Sequence, residues 1–225
     1  ANVSPAAYLQ TLANALADSP DFHVDLGDTF MTDQRREYKS ALPQYNAQRY
    51  YFGQLCHSAP LFMVLGNHDA QSQITRVLRL PDNVTTFDSA APATLVLDDL
   101  GLAIHGQSFA TRAVTVDLAA AYPDPVRGAL NLGLLHTAAD GRPGHETYAP
   151  TTATILARKG YDYWALGHIH TREVLRADPW IVFPGNLQGR SVRETGEKGF
   201  VVVTAEGTEV RSVEPVAADV ARWHD

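Results

Sequence analysis

Cysteine is nearly absent: Cys56 is the only one in 225 residues, which excludes an internal disulfide framework and a thiolate zinc cluster. In "YFGQLCHSAP" it reads as a small buried helix residue. No apolar run approaches the roughly 20 residues that span a bilayer, and no signal peptide is visible. A cytoplasmic protein without membrane contact is therefore expected, although a chain that starts with Ala rather than Met suggests an upstream segment was removed. Excess positive charge is lacking too. The formal net charge of −7 provides no overall attraction to nucleic acid, which leaves only a locally basic groove for that role. Repeats and low-complexity segments are absent. What remains, 45% hydrophobic and 19% charged residues, is the composition of an ordinary folded domain with a full core.

Periodicity divides this material into helices and strands. "PAAYLQTLANALADS" and "LPQYNAQRYYFGQLCHS" predict helices, and so does "TYAPTTATILARKG", with Thr151 or Thr152 as its cap and Gly160 as its stop. "FHVDLGD" and "PLFMVLGNHD" predict early strands. Eight more follow from "ATLVLDD", "GLAIHG", "LNLGLLH", "YDYWALGH", "EVLRA", "WIVFPG", "FVVVTAE" and "TEVRSVE". An early βαβ pattern with a strand-rich second half predicts stacked sheets flanked by helices. The expected boundary is a catalytic domain over residues 1–213 and a C-terminal tail over 214–225.

Four of these strands end on the same kind of residue: "LGDTF" (Asp28), "LGNHD" (Asn67, His68, Asp69), "LLHTA" (His136) and "LGHIH" (His168, His170). If the chain stays extended past Gly167, His168 and His170 project to one side. Functional groups in open α/β sheets collect where strands end. Asp, Asn and His offer oxygen and imidazole ligands without thiolate, a set suited to Mn, Fe or Zn. An Asp can also bridge two ions about 3.5–4 Å apart. Each motif alone is weak, and a lone His at a strand end is usually structural. The four in this order are not explained by unrelated loop decoration.

GD, GNHD, H and GHxH in this order resemble the calcineurin-like metallophosphoesterase superfamily. The resemblance implies an α/β fold, a double β-sandwich flanked by helices (α/β/β/α), with a dinuclear site at the strand ends. It implies that Asp28 bridges two divalent metal ions (Mn, Zn or Fe), that Asn67, His136 and His168 complete the second, and that His170 serves the first. His68 would act as acid or electrostatic stabiliser, oriented by Asp69. The implied reaction is hydrolysis of a phosphate ester by a metal-bound hydroxide attacking phosphorus in line.

The superfamily's opening D-x-H motif has no counterpart. "DFH" at Asp21 to His23 matches the letters, but it lies five or more residues upstream of Asp28. At about 3.3 Å per residue that is too far to share its metal, so these read as strand-start residues. The first strand and its ligands are expected either just upstream of Ala1 or not at all. If they are absent, the first metal keeps only Asp28 and His170, and one tight ion with one weak or missing ion is expected.

Two branches are visible. Residues 1–66, with "PDFHVDLGDTFMTD", resemble purple-acid-phosphatase-like hydrolases, although Met31 replaces their metal-binding tyrosine. Residues 70–225, with "SQITRVLRLPDNV", "GYDYWALGHIHTREVL" and "WIVFPGNLQGRSVRETGEKGF", resemble DNA-repair exonucleases of the SbcD type. A mosaic joined near GNHD is one expectation from this. The larger matching portion favours phosphodiesters as substrates, with a DNA exonuclease as the specific alternative. The exonuclease resemblance leaves room for nucleic acid and a partner ATPase. A catalytically weak metal-binding or interaction module is the rival. In "FPGNLQGRSVRETGEKGF", Arg190 is the candidate phosphate contact, ahead of Arg193 and Lys198, and Asn186 a support for the ligand loops. A solvated loop in which these cations pair with Glu194 and Glu197 is the plainer alternative. His105 and Gln107 end another strand, and His105 reads as structural.

Overall fold

A computed structural model describes residues 19–28, 50, 53, 54, 57–72, 75, 79–141, 146–189, 191–219 and 221–224. Three strands, β1 (His23–Asp25), β2 (Leu61–Met63) and β3 (Val84–Thr86), form a parallel sheet in that order. The next strands are β4 (Ala93–Leu97), β5 (Leu102–Gly106) and β6 (Leu130–His136). Helix α1 (Ala153–Arg158) leads to β7 (Tyr163–Gly167), β8 (Glu173–Ala177) and β9 (Trp180–Phe183). These six strands make a mixed sheet of order β4-β5-β6-β7-β9-β8, with β5, β6, β7 and β9 parallel. A hairpin of β10 (Gly199–Glu206) and β11 (Glu209–Ala217) completes the strands.

Alternation assigns the two faces of the large sheet. Leu132, Leu134, Tyr163, Ala165 and Val182 face one core, which Phe62 and Val64 enter from the small sheet and Val201 and Val213 from the hairpin. The odd-numbered partners Leu135, Ile181 and Phe183, with Trp164 and Leu166, face a second core beneath α1. Two β layers thus enclose one core and the helix covers the outer face, the arrangement expected of a strand-rich α/β sandwich. Gly133 lies under the Trp164 indole, where a Cβ would collide with the ring, and Trp164 Nε1 donates to Leu156 O of α1 at 3.1 Å.

The helix starts as its sequence requires. Thr152 is extended, and its hydroxyl accepts from Ile155 N at 3.1 Å. Gly160 follows with φ +81, a conformation in which only glycine is unstrained. Of the second predicted helix, residues 50, 53, 54, 57 and 58 are described and are helical. The first predicted helix, Cys56 and Met31 lie outside the described residues. Strand β3 was not anticipated: with three residues and exposed Thr85 and Thr86 it carries too little alternation to signal a strand, and its pairing with β2 sustains it. The last strand reaches into the segment expected as tail. β11 continues to Ala217 because Glu214, Pro215 and Val216 still pair with β10, and proline is tolerated on a strand edge.

Candidate metal centre

The four decorated strands converge at their C-terminal ends. Asp28 follows β1, Asn67 follows β2, His136 closes β6 and His168 follows β7, so the two sheets each supply two groups. Strand pairing brings β1 beside β2 and β6 beside β7, and packing of the layers brings the pairs together.

Three glycines make the approach close enough. A Cβ on Gly66 would lie 2.5 Å from both Asp28 Oδ1 and His136 Cε1. On Gly27 it would lie 2.5 Å from Gly66 N and 3.0 Å from His136 Nδ1. On Gly167 it would strike the Leu26 carbonyl and lie 2.9 Å from His136 Nδ1. The glycine before Asp28, Asn67 and His168 thus clears space around the buried imidazole of His136.

Hydrogen bonding then fixes the state of that imidazole. His136 is fully buried, and its Nδ1 donates to Leu26 O at 2.8 Å. In the neutral ring the lone pair therefore sits on Nε2. Nε2 faces Asn67 Oδ1 at 3.0 Å and Asp28 Oδ2 at 3.5 Å. With the ring neutral, three electron-pair donors converge there, a repulsive arrangement that a cation between them relieves. His168 joins them: the ligand atoms of Asp28, His136 and His168 lie within 4.8 Å of one another. Its Nε2 donates to Glu146 O at 3.0 Å, which puts its lone pair on Nδ1. The residues present therefore fit a divalent metal ion with nitrogen and oxygen ligands.

Backbone strain marks the same residues. Asp28 (φ +60) and His168 (φ +93) are non-glycine residues in the left-handed region, held there by their surroundings. Asp69 supplies part of that hold. Its carboxylate is buried, and Oδ2 accepts from Asp28 N at 2.5 Å and Gly66 N at 2.9 Å. It ties the β1 and β2 loops to each other. His68 is half-buried and its backbone N donates to Asp28 Oδ1 at 3.0 Å.

His170 is not in the close group with Asp28, His136 and His168. Its Nδ1 meets Glu194 Oε1 at 2.9 Å. Asn186 joins this pair: its N donates to His170 O at 3.0 Å and its Nδ2 to Glu194 Oε2 at 3.3 Å, while its O accepts from Gly199 N at 3.0 Å. Arg190 lies outside the described residues. Lys198 is buried and donates to Thr195 O at 2.9 Å, so its charge closes a turn. His23 opens β1 and bonds Ser58 Oγ at 3.0 Å, remote from the ligand cluster along its strand.

His105 is structural. It is fully buried between Thr94 Oγ1 (2.8 Å) and Asn131 Oδ1 (3.0 Å) and stacks on Tyr161 at 4.1 Å. Asn131 Nδ2 donates to Val126 O and Ala129 O, so its Oδ1 must accept from the ring. Burial pushes the His105 pKa down. Sequence reasoning did not reach Phe109, edge-on to His136 at 5.2 Å, or Tyr148, 5.8 Å from His168. Both are aromatic loop residues without a local pattern, and only the fold brings them to the site.

The sequence model of the family described as calcineurin-like phosphoesterase matches residues 3–172, which include Asp28, Asn67, His136, His168 and His170. An uncharacterized metallophosphoesterase of Bacillus subtilis (strain 168), YhaO, is 38% identical over 147 residues. That match covers 64% of this chain and 36% of the relative, so the chain corresponds to little more than a third of that protein. Among the described residues no helix is long and apolar enough to cross a membrane.

Proposed function

Because the chain belongs to the calcineurin-like phosphoesterase family of metal-dependent phosphoester hydrolases, we propose that it hydrolyses phosphodiesters at the Asp28 cluster. The observation that supports this most is the convergence of His136 Nε2, Asn67 Oδ1 and Asp28 Oδ2 beside His168. When bound, divalent ions at such a site lower the pKa of a water and offset charge on phosphoryl oxygens. In this reading Asp28, Asn67, His136 and His168 hold one ion, and Asp28 with His170 holds the other. His136 stays in one tautomer through Leu26 O, and Asp69 keeps the two loops in register. His68, next to Asn67, presents its ring to the leaving oxygen, giving it a proton or stabilising its charge. Arg190 takes a phosphate oxygen through its guanidinium fork.

The diester preference rests on the exonuclease-like "GYDYWALGHIHTREVL" and "FPGNLQGRSVRETGEKGF" stretches. A net charge of −7 weighs against efficient action on duplex DNA by this chain alone. The deciding assay compares bis-p-nitrophenyl phosphate, p-nitrophenyl phosphate and linear duplex DNA with the Mn²⁺-loaded protein. Faster turnover of the diester supports the proposal, and His68→Ala should then lower its rate while metal content holds. Efficient DNA cleavage would replace it with the exonuclease reading, to which a partner ATPase belongs. Metal uptake without turnover of any substrate would leave a binding module.

A further inference from the structure

The turn at residues 186–198 contains a carboxylate whose position is more constrained than that of a solvated loop residue. Glu194 Oε1 accepts from His170 Nδ1 at 2.9 Å while Oε2 accepts from Asn186 Nδ2 at 3.3 Å, and its side chain is only 18% exposed. Asn186 also donates its backbone N to His170 O at 3.0 Å, so the three residues form a closed triangle. Exposed ion pairs are loosely held and contribute little. Here both carboxylate oxygens are engaged, one by an imidazole and the other by a side-chain amide.

The backbone around Glu194 is equally constrained. Glu194 N donates to Ser191 O at 3.0 Å, and the Glu194 carbonyl lies where a Cβ on Gly189 would approach to 2.8 Å. Gly196 N donates to Trp223 O at 3.0 Å, and Arg222 Nη1 reaches Glu197 Oε1 at 3.1 Å. Gln188 Nε2 donates to Ala221 O. Residues 221–223 therefore clasp the turn from outside and keep Glu194 facing His170.

We propose that Glu194 is the positioning residue for His170: by accepting from Nδ1 it fixes the ring's tautomer and orientation and puts the lone pair on Nε2 for a metal ion. A carboxylate behind a ligating histidine raises the ring's basicity and restricts its rotation, and removing such a partner typically costs about 10–100-fold in metal affinity. This rests on the reading of His170 as a ligand and extends it to a residue outside the four motifs. It treats the turn as part of the metal centre rather than as a solvated loop.

The test uses the full chain with ¹⁵N-labelled histidine. In the metal-free protein at alkaline pH, where imidazole is neutral, long-range ¹H–¹⁵N spectra should show His170 protonated on Nδ1. Glu194→Ala should move that proton to Nε2, and Glu194→Gln, which keeps an acceptor without the charge, should restore it. In parallel, Mn²⁺ affinity should fall about 10–100-fold in Glu194→Ala and recover most of that loss in Glu194→Gln. Adding Glu194→Ala to His170→Ala should cause no further loss. Proton on Nε2 in the wild type, no change in Glu194→Ala, equal binding by wild type and His170→Ala, or a further loss in the double variant would each overturn the proposal. None of these readouts involves phosphoester turnover. A chain that hydrolyses no phosphoester yet shows the tautomer shift and affinity loss would refute the substrate reading alone.

Discussion

Gly66→Ala tests whether close approach of the strand ends, rather than ligand identity alone, makes the centre. The added Cβ would lie 2.5 Å from Asp28 Oδ1 and 2.5 Å from His136 Cε1, about 0.9 Å short of ordinary contact, which begins near 3.4 Å. Neither neighbour can yield easily. His136 is fully buried, anchored to Leu26 O and backed by Phe109, and Asp28 Oδ1 accepts from His68 N at 3.0 Å. Metal–ligand distances tolerate only about 0.2 Å, so a shift of several tenths on either side removes a ligand. Overpacking of this kind costs about 1–3 kcal/mol. At about 2–4 °C per kcal/mol for a chain of this size, the metal-free protein should melt about 2–12 °C lower. Thermal denaturation and Mn²⁺ titration read the two effects separately, and the expected loss of affinity is at least about tenfold. Gly53→Ala is the control. It lies in helical backbone where a Cβ meets nothing within 4 Å, and alanine there should be neutral or stabilise by up to about 1 kcal/mol. A Gly66→Ala protein with wild-type melting and wild-type metal affinity would refute the reasoning.

Two further outcomes follow from single residues. Asp69→Ala leaves the N–H groups of Asp28 and Gly66 without their buried carboxylate, a loss of about 1–3 kcal/mol each, so chemical denaturation should show a drop of about 2–6 kcal/mol and metal uptake should weaken with it. An unchanged denaturation midpoint would show that the loops do not need this staple. For His105, burial lowers the folded-state pKa below the ordinary 6.5, so the unfolded chain binds the extra proton first. Its contribution is complete above about pH 6.5 and is lost as pH falls from there toward the lowered value. His23 is shifted the same way by burial and adds to this slope. His105→Gln should therefore flatten the melting temperature against pH between neutrality and mild acid, and an identical slope in the variant would exclude His105 as a source.

Much of the molecule could be read from the chain without its coordinates. Among the described residues, ten of the eleven strands carry alternating or continuous apolar runs, because each has at least one face in a core. The glycine before Asp28, Asn67 and His168 was legible as well, and so was the oxygen-and-imidazole character of the ligands. Local sequence determines these features, since a strand's faces and a turn's clearance depend on neighbouring residues. Other features arise only when distant segments meet. Strand β3 exists because β2 offers it an edge, and β11 runs past residue 213 because β10 still pairs with it. The Nδ1–H tautomer of His136 depends on a carbonyl 110 residues away, and Asp69 acts on Asp28 across 41. In the sequence Glu194 is an acidic residue in a polar turn, readable only as a partner for nearby cations. The fold instead sets it against His170, 24 positions earlier, because Asn186 and the 221–223 segment hold the turn there. Residue types and their local spacing supplied the possible ligands, whereas the meeting of distant segments decided which groups surround His136 and which carboxylate lies against His170.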